Sequence, residues 1–171
     1  MGRRDAVDMR SSIENKLAEI SRQEALQFLQ AGQVGHVATV GEDGYPYVIP
    51  FVYVHDGGDK LYLHIGNIGE SHFWSNVKNH PKVSVEVSER GDLHPGKMYA
   101  GQSALVYTSI VLFGQVKHIT DGSMKEWFFD RLLEKYGDSK WEFERVGYRI
   151  LHNIELFEVE IEKITGKGIY H

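Results

Sequence analysis

The residues with the clearest capacity for chemistry lie in LYLHIGNIGESHFW, residues 61–74, where a predicted strand runs through glycines into a predicted helix. A helix that begins at Glu70 or Ser71 leaves the N–H groups of its first turn unpaired, and its N-terminus carries roughly half a positive charge. With the amides of residues 66–69, these groups form a site suited to a phosphate, and Ser71 and His72 add side-chain donors. The competing interpretation is that the glycines only shape a strand-to-helix turn.

A second candidate for chemistry is His64, on the predicted strand just before this loop. An imidazole titrates near neutral pH, so His64 could donate to a ligand or move a proton. The alternative is a structural histidine satisfied by its neighbours. The other histidines form no HExxH motif or other recognised metal spacing, so we predict no metal. Nucleophile-elbow, P-loop and GxGxxG motifs are also missing from the sequence.

Two prolines interrupt an otherwise apolar run, YPYVIPFVYV, at Pro46 and Pro50. Each removes a backbone donor, which implies an edge strand, a bulge or an interrupted pairing. The backbone between Val48 and Pro50 would then be open to hydrogen-bond a planar heteroaromatic ring. The alternative is an edge strand that only closes a barrel.

The composition limits the classes of partner. The 171 residues contain 19 basic and 24 acidic side chains, with a net charge of −5, so we expect no nucleic-acid or membrane binding. The absence of cysteine leaves any redox chemistry to a cofactor. No apolar stretch approaches the roughly 20 residues needed to cross a bilayer. We therefore expect a single domain over residues 1–171, located in the cytoplasm.

The helices that position these residues are predicted from capping signals in the sequence. We predict helices within residues 21–31, 69–79 and 121–137. Ser21 and Glu24 have the spacing of a capping box. Asp121 is placed to cap the last helix and Gly137 to end it.

The strands follow from alternation and turn signals. We predict strands at residues 34–40, 45–54, 60–66, 82–88, 104–119 and 156–164. The first three form a predicted meander, with the strand 45–54 in its interior because it is apolar on both faces. Residues 89–101 are predicted as a loop, and Gly114 as a bulge or bend. Short hairpins and few helices favour a mainly-β fold, an antiparallel β-barrel over about residues 34–164 with flanking helices.

Taken in order, the segments GHVATVGEDGYPYVIPFVYVHDGGDKLYLHIGNIGES, NHPKVSVEV and YTSIVLFGQVKHITD resemble a known family. They are similar to the pyridoxamine 5'-phosphate oxidase-like split barrels that bind FMN, and within them to the nitroimidazole-resistance branch. The resemblance covers about residues 2–165. It implies an antiparallel FMN-binding split barrel that forms a homodimer with two FMN sites at the subunit interface. It also implies that the loop after the histidine strand holds the phosphate and that the isoalloxazine ring lies against the PYVIP strand.

The resemblance implies specific site residues in this chain. The implied cofactor-binding residues are Val48, Ile49, Pro50, His64, Ile65, Gly66, Asn67, Gly69, Ser71, His72, Tyr107 and Ser109. His64 corresponds to the histidine beside the flavin and is the catalytic candidate. Tyr107 and Ser109 share one face of their strand, because side chains repeat every two residues. Family members commonly carry lysine where this chain has Ser71, so the phosphate loses an expected cation.

Two functions follow from the resemblance. The first is a flavin-dependent oxidoreductase that reduces a small oxidised substrate, such as a nitro compound, with NADH or NADPH as the reductant. The second is a non-catalytic module that holds flavin or haem, since a fold does not fix a function. Oxidation of pyridoxamine phosphate itself is less favoured, because the chain shows no basic cluster for a substrate phosphate near its end.

Overall fold

The computed structural model describes residues 18–66, 69, 71–138, 140–141, 151 and 153–169. Its helices are α1 (Arg22–Ala31), α2 (His72–Val77) and α3 (Gly122–Tyr136), with a 3₁₀ turn at Ala100–Gln102. Its strands are β1 (Gly35–Val40), β2 (Pro46–Phe51), β3 (Val54–His55), β4 (Lys60–Ile65), β5 (Lys82–His94), β6 (Ala104–Ile119) and β7 (Glu155–Ile169).

The seven strands form one antiparallel sheet in the order β2-β1-β5-β6-β7-β4-β3. Its two edge strands, β2 and β3, are separated in the chain only by residues 52–53. The three steps from Phe51 to Val54 span at most about 11 Å, even in an extended chain. The two edges of the sheet must therefore meet, and the sheet closes into a barrel. This confirms the predicted mainly-β, antiparallel split barrel.

The prediction of one interior strand over residues 45–54 is wrong, and so is the three-stranded meander. The run divides into β2 and β3, which lie at opposite edges of the sheet. Among the described residues, β2 pairs only with β1 and β3 only with β4, so they belong to two separate hairpins. The run is apolar on both faces, but Pro46, Val48 and Pro50 on the outer face of β2 are exposed rather than buried. The edge-strand alternative, inferred from Pro46 and Pro50, is confirmed for β2.

The predicted loop over residues 89–101 is partly wrong. β5 continues to His94, which pairs with Ala104 of β6 after a register shift between Arg90 and Leu93. The side chains of β5 from Ser88 onward are exposed on both faces. Without a buried face the sequence shows no alternation there, so the extension could be found only from its pairing.

The helices cover the barrel in two different ways. Ala25 of α1 and Phe73 of α2 are buried in the main core, which the inner faces of the strands complete. Helix α3 instead packs on the outside of the barrel, where Phe128 contacts a second core around Tyr62 and Leu156. The predicted capping box at Ser21 and the Asp121 and Gly137 caps are all present.

Gly114 marks a bulge between β6 and β7, as predicted. Phe113 pairs with Lys163 but Gly114 pairs with Ile161, so β7 has one additional residue at this point. A Cβ atom on Gly114 would lie 2.2 Å from the carbonyl oxygen of Glu160. The close approach of two backbones therefore requires glycine.

We expect Gly114→Ala to lower the free energy of unfolding by about 1–3 kcal/mol, because the added methyl group would displace backbone rather than a flexible side chain. Urea unfolding measures the change. Gly122→Ala is the control, because nothing lies within 4 Å of its added Cβ at the start of α3. Equal stability of the two variants would contradict the close approach at Gly114.

Candidate functional site

Strand β2 presents an open backbone edge at Val48. The outward-facing residues Pro46, Val48 and Pro50 oppose Val40, Ala38 and His36 of β1. Opposed residues in an antiparallel ladder alternate between pairs that exchange both hydrogen bonds and pairs that exchange none. The prolines have no N–H, so all three pairs are of the second type. The N–H and C=O of Val48 therefore point away from β1, to a side where the described residues supply no further strand.

The side chains of the PYVIP strand divide between the two faces. Val48 is 55% exposed, and Pro50 is also exposed on the outer face of the barrel. Ile49 is half-buried and packs against the main core. Ile49 therefore offers a ligand neither its side chain nor its backbone N–H and C=O, because Ile49 and Val37 form one of the hydrogen-bonded pairs of the ladder.

The start of α2 lies beside β2. Ser71 caps the helix, and its Oγ accepts a hydrogen bond from the Trp74 N–H at 3.2 Å. The ring centroids of His72 and Tyr47 are 5.7 Å apart. A Cβ atom on Gly66 would meet no atom within 4 Å. The structure thus brings the predicted phosphate loop and the PYVIP strand together.

Three further predicted residues are Ile65 at the end of β4, and Asn67 and Gly69 in the loop. Gly69 is exposed, whereas Asn67 lies outside the described residues. Ile65 is half-buried against the main core, so its side chain faces the barrel interior.

A chain of polar contacts connects β6 to β1 across the outer face. The Ser109 Oγ donates to Glu86 Oε1 at 3.4 Å, and Glu86 Oε2 lies 3.2 Å from His36 Nδ1. His36 in turn opposes Pro50. Tyr107 is two residues from Ser109 and shares its face. Sequence reasoning missed Glu86 and His36, because only the strand register shows that they face the predicted site.

A cation lies on the same face, although not in the loop. Lys167 opposes Ser109 in the register of β6 and β7, and its Nζ lies 5.5 Å from the centroid of the Tyr107 ring. The sequence prediction ended β7 at Ile164 and so did not include this residue in the sheet. β7 continues to Ile169, which brings Lys167 onto the outer face.

His64 lies in a different environment from Tyr107 and Ser109. Its ring centroid is 5.4 Å from that of Phe128 and 5.3 Å from that of Phe129, so α3 covers it. Its Nδ1 is buried and has no hydrogen-bond partner within the described part of the chain. Burial lowers the pKa of His64, so the imidazole is neutral at neutral pH. β7 separates the strand of His64 from that of Tyr107 and Ser109.

The described residues contain neither a metal-ligand cluster nor a membrane-spanning helix. No group of three or more His, Cys, Asp or Glu side chains there could hold a metal ion. Among the described helices, none is both long enough and apolar enough to cross a membrane.

A family model for pyridoxamine 5'-phosphate oxidase matches residues 21–168. The chain belongs to the pyridoxamine 5'-phosphate oxidase family. The match runs from α1 to β7 and confirms the family resemblance carried by the sequence motifs. Among curated protein sequences, none matches this family member.

Solved structures share the fold of this pyridoxamine 5'-phosphate oxidase family member. A candidate 5-nitroimidazole antibiotic resistance protein from Bacteroides thetaiotaomicron VPI-5482 has 21% identity and a TM-score of 0.71, covering 88% of this chain and 86% of its own. Flavocytochrome Anf3 from Azotobacter vinelandii has 16% identity and a TM-score of 0.76, with coverages of 95% and 75%. The FAD and heme binding protein from Mycobacterium smegmatis has 20% identity and a TM-score of 0.68, with coverages of 88% and 72%. These TM-scores show a shared fold, and the neighbours include flavin-binding proteins.

We expect acid to destabilise this family member partly through His64. The pKa of His64 in the folded state is below its ordinary value of 6.5. As the pH falls below about 6.5, the unfolded chain therefore binds more protons at this residue than the folded chain does. The stability contribution of the neutral ring is complete above that pH and is lost as the pH falls through the folded pKa. His64→Phe should flatten this part of a stability profile from urea unfolding at several pH values. His80→Phe, at an exposed position, should keep the wild-type slope, and equal slopes for both variants would refute the assignment.

Proposed function

We propose that the chain binds FMN on the outer face formed by β2, β1, β5 and β6, and reduces a small oxidised substrate such as a nitro compound. The observation that carries the proposal is the open edge at Val48, whose N–H and C=O point away from β1. The isoalloxazine ring presents donors and acceptors along one edge, and an unpaired strand edge presents the complementary groups. Family membership and the flavin-binding neighbours support a flavin as the ligand.

The phosphate of FMN would be held by the loop before α2. Gly66 leaves open space there, and the Ser71 hydroxyl and His72 ring lie at the start of the helix. The contact between His72 and Tyr47 keeps this loop within reach of the edge at Val48. The loop supplies dipoles and hydroxyl groups rather than a cationic side chain, which is a weaker grip on an anion.

A homodimer would cover the proposed site. The outer face exposes Val40, Val48 and Leu105, which are 45%, 55% and 38% exposed. Helix α3 covers the opposite outer face, around β3 and β4, and leaves this one open. A second copy packed here would bury these side chains and exclude water from the flavin. Enclosure of this kind strengthens hydrogen bonds such as those offered at Val48.

The chain's own residues would position the flavin and the substrate. Bound FMN would supply the transfer of hydride or electrons, and NADH or NADPH would be the reductant. The protein would act in the cytoplasm. The Val48 backbone would fix the ring edge, and Ser109 would hold its position through Glu86. His64 lies under α3, and β7 separates its strand from that of Tyr107 and Ser109, so we assign it no role in holding the flavin on this face.

One observation favours the alternative of a non-catalytic flavin- or haem-binding module. His64 is the catalytic candidate, yet it is covered by Phe128 and Phe129 and its pKa is lowered by burial. A group in this state is a poor proton donor at neutral pH. A protein that only stores or senses a cofactor needs no such donor.

We expect Val48→Pro to weaken FMN binding by up to about tenfold, because it removes the only N–H between Pro46 and Pro50 that points to the open edge. Val48→Ala is the matched control, because it shortens the side chain but keeps this N–H. Flavin fluorescence titration measures both affinities, and urea unfolding should give similar stabilities, because this N–H makes no bond to β1. Equal FMN affinity of the two variants would show that the ring edge binds elsewhere.

The enzyme and the module are distinguished by reduction of the bound flavin. If the chain is an oxidoreductase, we expect FMN-loaded protein to lose its yellow colour with NADH or NADPH under anaerobic conditions. A nitroimidazole should then restore the colour faster than it does with free reduced FMN. Flavin that binds but stays oxidised with both reductants would support the module instead.

A further inference from the structure

A small cleft of about 370 Å³ opens between the β1–β2 turn and α2. It lies at the low end of the range for ligand sites, about 300–1,000 Å³, so it suits a ligand of about one ring. The residues that matter to its chemistry are Glu42, Asp43, Tyr45, Tyr47, His72 and Asn76. The proposed flavin site uses neither its acidic side chains nor Asn76.

The floor of the cleft contains an unpaired acceptor on a mostly buried residue. Asn76 is 8% exposed, and its Nδ2 donates to the Thr39 hydroxyl at 2.9 Å, which donates in turn to the Tyr47 carbonyl oxygen. These bonds fix the amide so that Oδ1 is the remaining acceptor. Oδ1 lies toward Gly41, 3.6 Å from where a Cβ would stand. It accepts no hydrogen bond within the part of the chain that the structure describes, so it is free to accept one from a ligand that carries a donor.

The walls add negative charge and aromatic faces. Glu42 receives the Asn79 amide on Oε1 at 2.7 Å, and Asp43 receives the Tyr45 N–H on Oδ1 at 3.0 Å. Each carboxylate retains a second oxygen for a ligand. The Tyr47 and His72 rings stand 5.7 Å apart, and Tyr45 is 75% exposed beside them. None of the described lining residues is lysine or arginine.

We propose that this cleft binds a small aromatic cation that carries N–H donors, such as an aromatic amidinium or a protonated amino-substituted heteroaromatic ring. Its carboxylates would attract the charge, the aromatic rings would contact the ring face, and Asn76 Oδ1 would accept an N–H. The same negative charge would repel a carboxylate or phosphate ligand.

The position of the cleft suggests its role. Tyr47 lies next to Val48, the residue proposed to meet the flavin ring. Tyr47 and Val48 point to opposite faces of β2, so a cation held in the cleft would lie across the strand from the flavin ring and next to His72 of the proposed phosphate loop. We therefore treat the cleft as a candidate substrate-recognition site at that end of the flavin. The role in substrate recognition rests on the proposed function, whereas binding of the cation depends only on the cleft.

The test compares three probes of the same shape by isothermal titration calorimetry with the full chain free of flavin. Benzamidine is the cation, benzamide is its neutral counterpart and benzoate is the anion. We expect benzamidine to bind at least about tenfold more tightly than benzamide, and benzoate to show no binding. Equal affinity for benzamidine and benzoate, or no binding of benzamidine, would overturn the proposal.

Variants locate the binding. Glu42→Gln with Asp43→Asn should weaken benzamidine binding about three- to tenfold and keep the turn, because the new amides still accept hydrogen bonds. Asp56→Asn is the matched control in the β3–β4 turn, where Oδ1 likewise accepts a backbone N–H, from Gly58 at 2.8 Å. If the double variant and the control have the same affinity for benzamidine, the carboxylates of the cleft do not bind it.

A steric variant tests the cleft without changing its charge. Gly41→Ala would place a methyl group 2.8 Å from Asp43 Oδ1, between that carboxylate and Asn76. We expect benzamidine binding to fall by about tenfold or more, with folding checked by circular dichroism. Unchanged binding would refute the location. Retained benzamidine binding without FMN uptake would refute the proposed function alone, and FMN uptake without benzamidine binding would refute the cleft alone.

Discussion

The structure depends on one constraint, the pairing that two prolines impose on β2. Pro46 and Pro50 cannot donate, so they occupy the pairs of the β1–β2 ladder that exchange no hydrogen bonds. This makes β2 an edge strand and leaves the Val48 backbone open. Because only two residues connect β2 to the opposite edge strand β3, the same segment also draws the sheet into a closed barrel.

The closed barrel has two outer faces with different roles. Helix α3 covers the face of β3 and β4, where it packs against the half-buried His64 and contributes Phe128 to a second core. Fully burying one such aromatic or aliphatic side chain stabilises the fold by about 1.5–3 kcal/mol. The main role of α3 is therefore structural. The face of β2, β1, β5 and β6 has no such cover among the described residues. Exposed Val48 and the contacts among Ser109, Glu86 and His36 make that open face the one suited to a ligand and to a second copy.

Electrostatics then separates two kinds of ligand. The loop before α2 has Ser71 where family members commonly carry lysine, and on the open face a cation, Lys167, lies opposite Ser109 instead. A phosphate in the loop therefore lacks one hydrogen bond from a charged donor, which is worth about 1.5–3 kcal/mol. The cleft at Glu42 and Asp43 has the opposite preference, for a cation. The cleft and the proposed phosphate loop share His72, so the carboxylates of the cleft would also disfavour a phosphate at the start of α2.

The sequence by itself determined the features that depend on neighbouring residues. The Ser21 capping box, the Asp121 cap and the edge character of Pro46 and Pro50 all follow from groups within a few residues of one another. The bulge at Gly114 could also be predicted, because a glycine inside a long strand often marks a bulge or a close approach of two backbones. The segments that carry the family resemblance are local in the same sense.

Only the tertiary structure decided which distant residues share a face. The division of residues 45–54 into two edge strands, the partnership of Glu86 with His36 and Ser109, and the burial of His64 under α3 all depend on strand order and register. A one-residue change of register would turn every side chain of a strand to the other face. Hydrogen bonding and packing across the closed barrel set that register, and these interactions join residues too far apart in the chain for local patterns to specify.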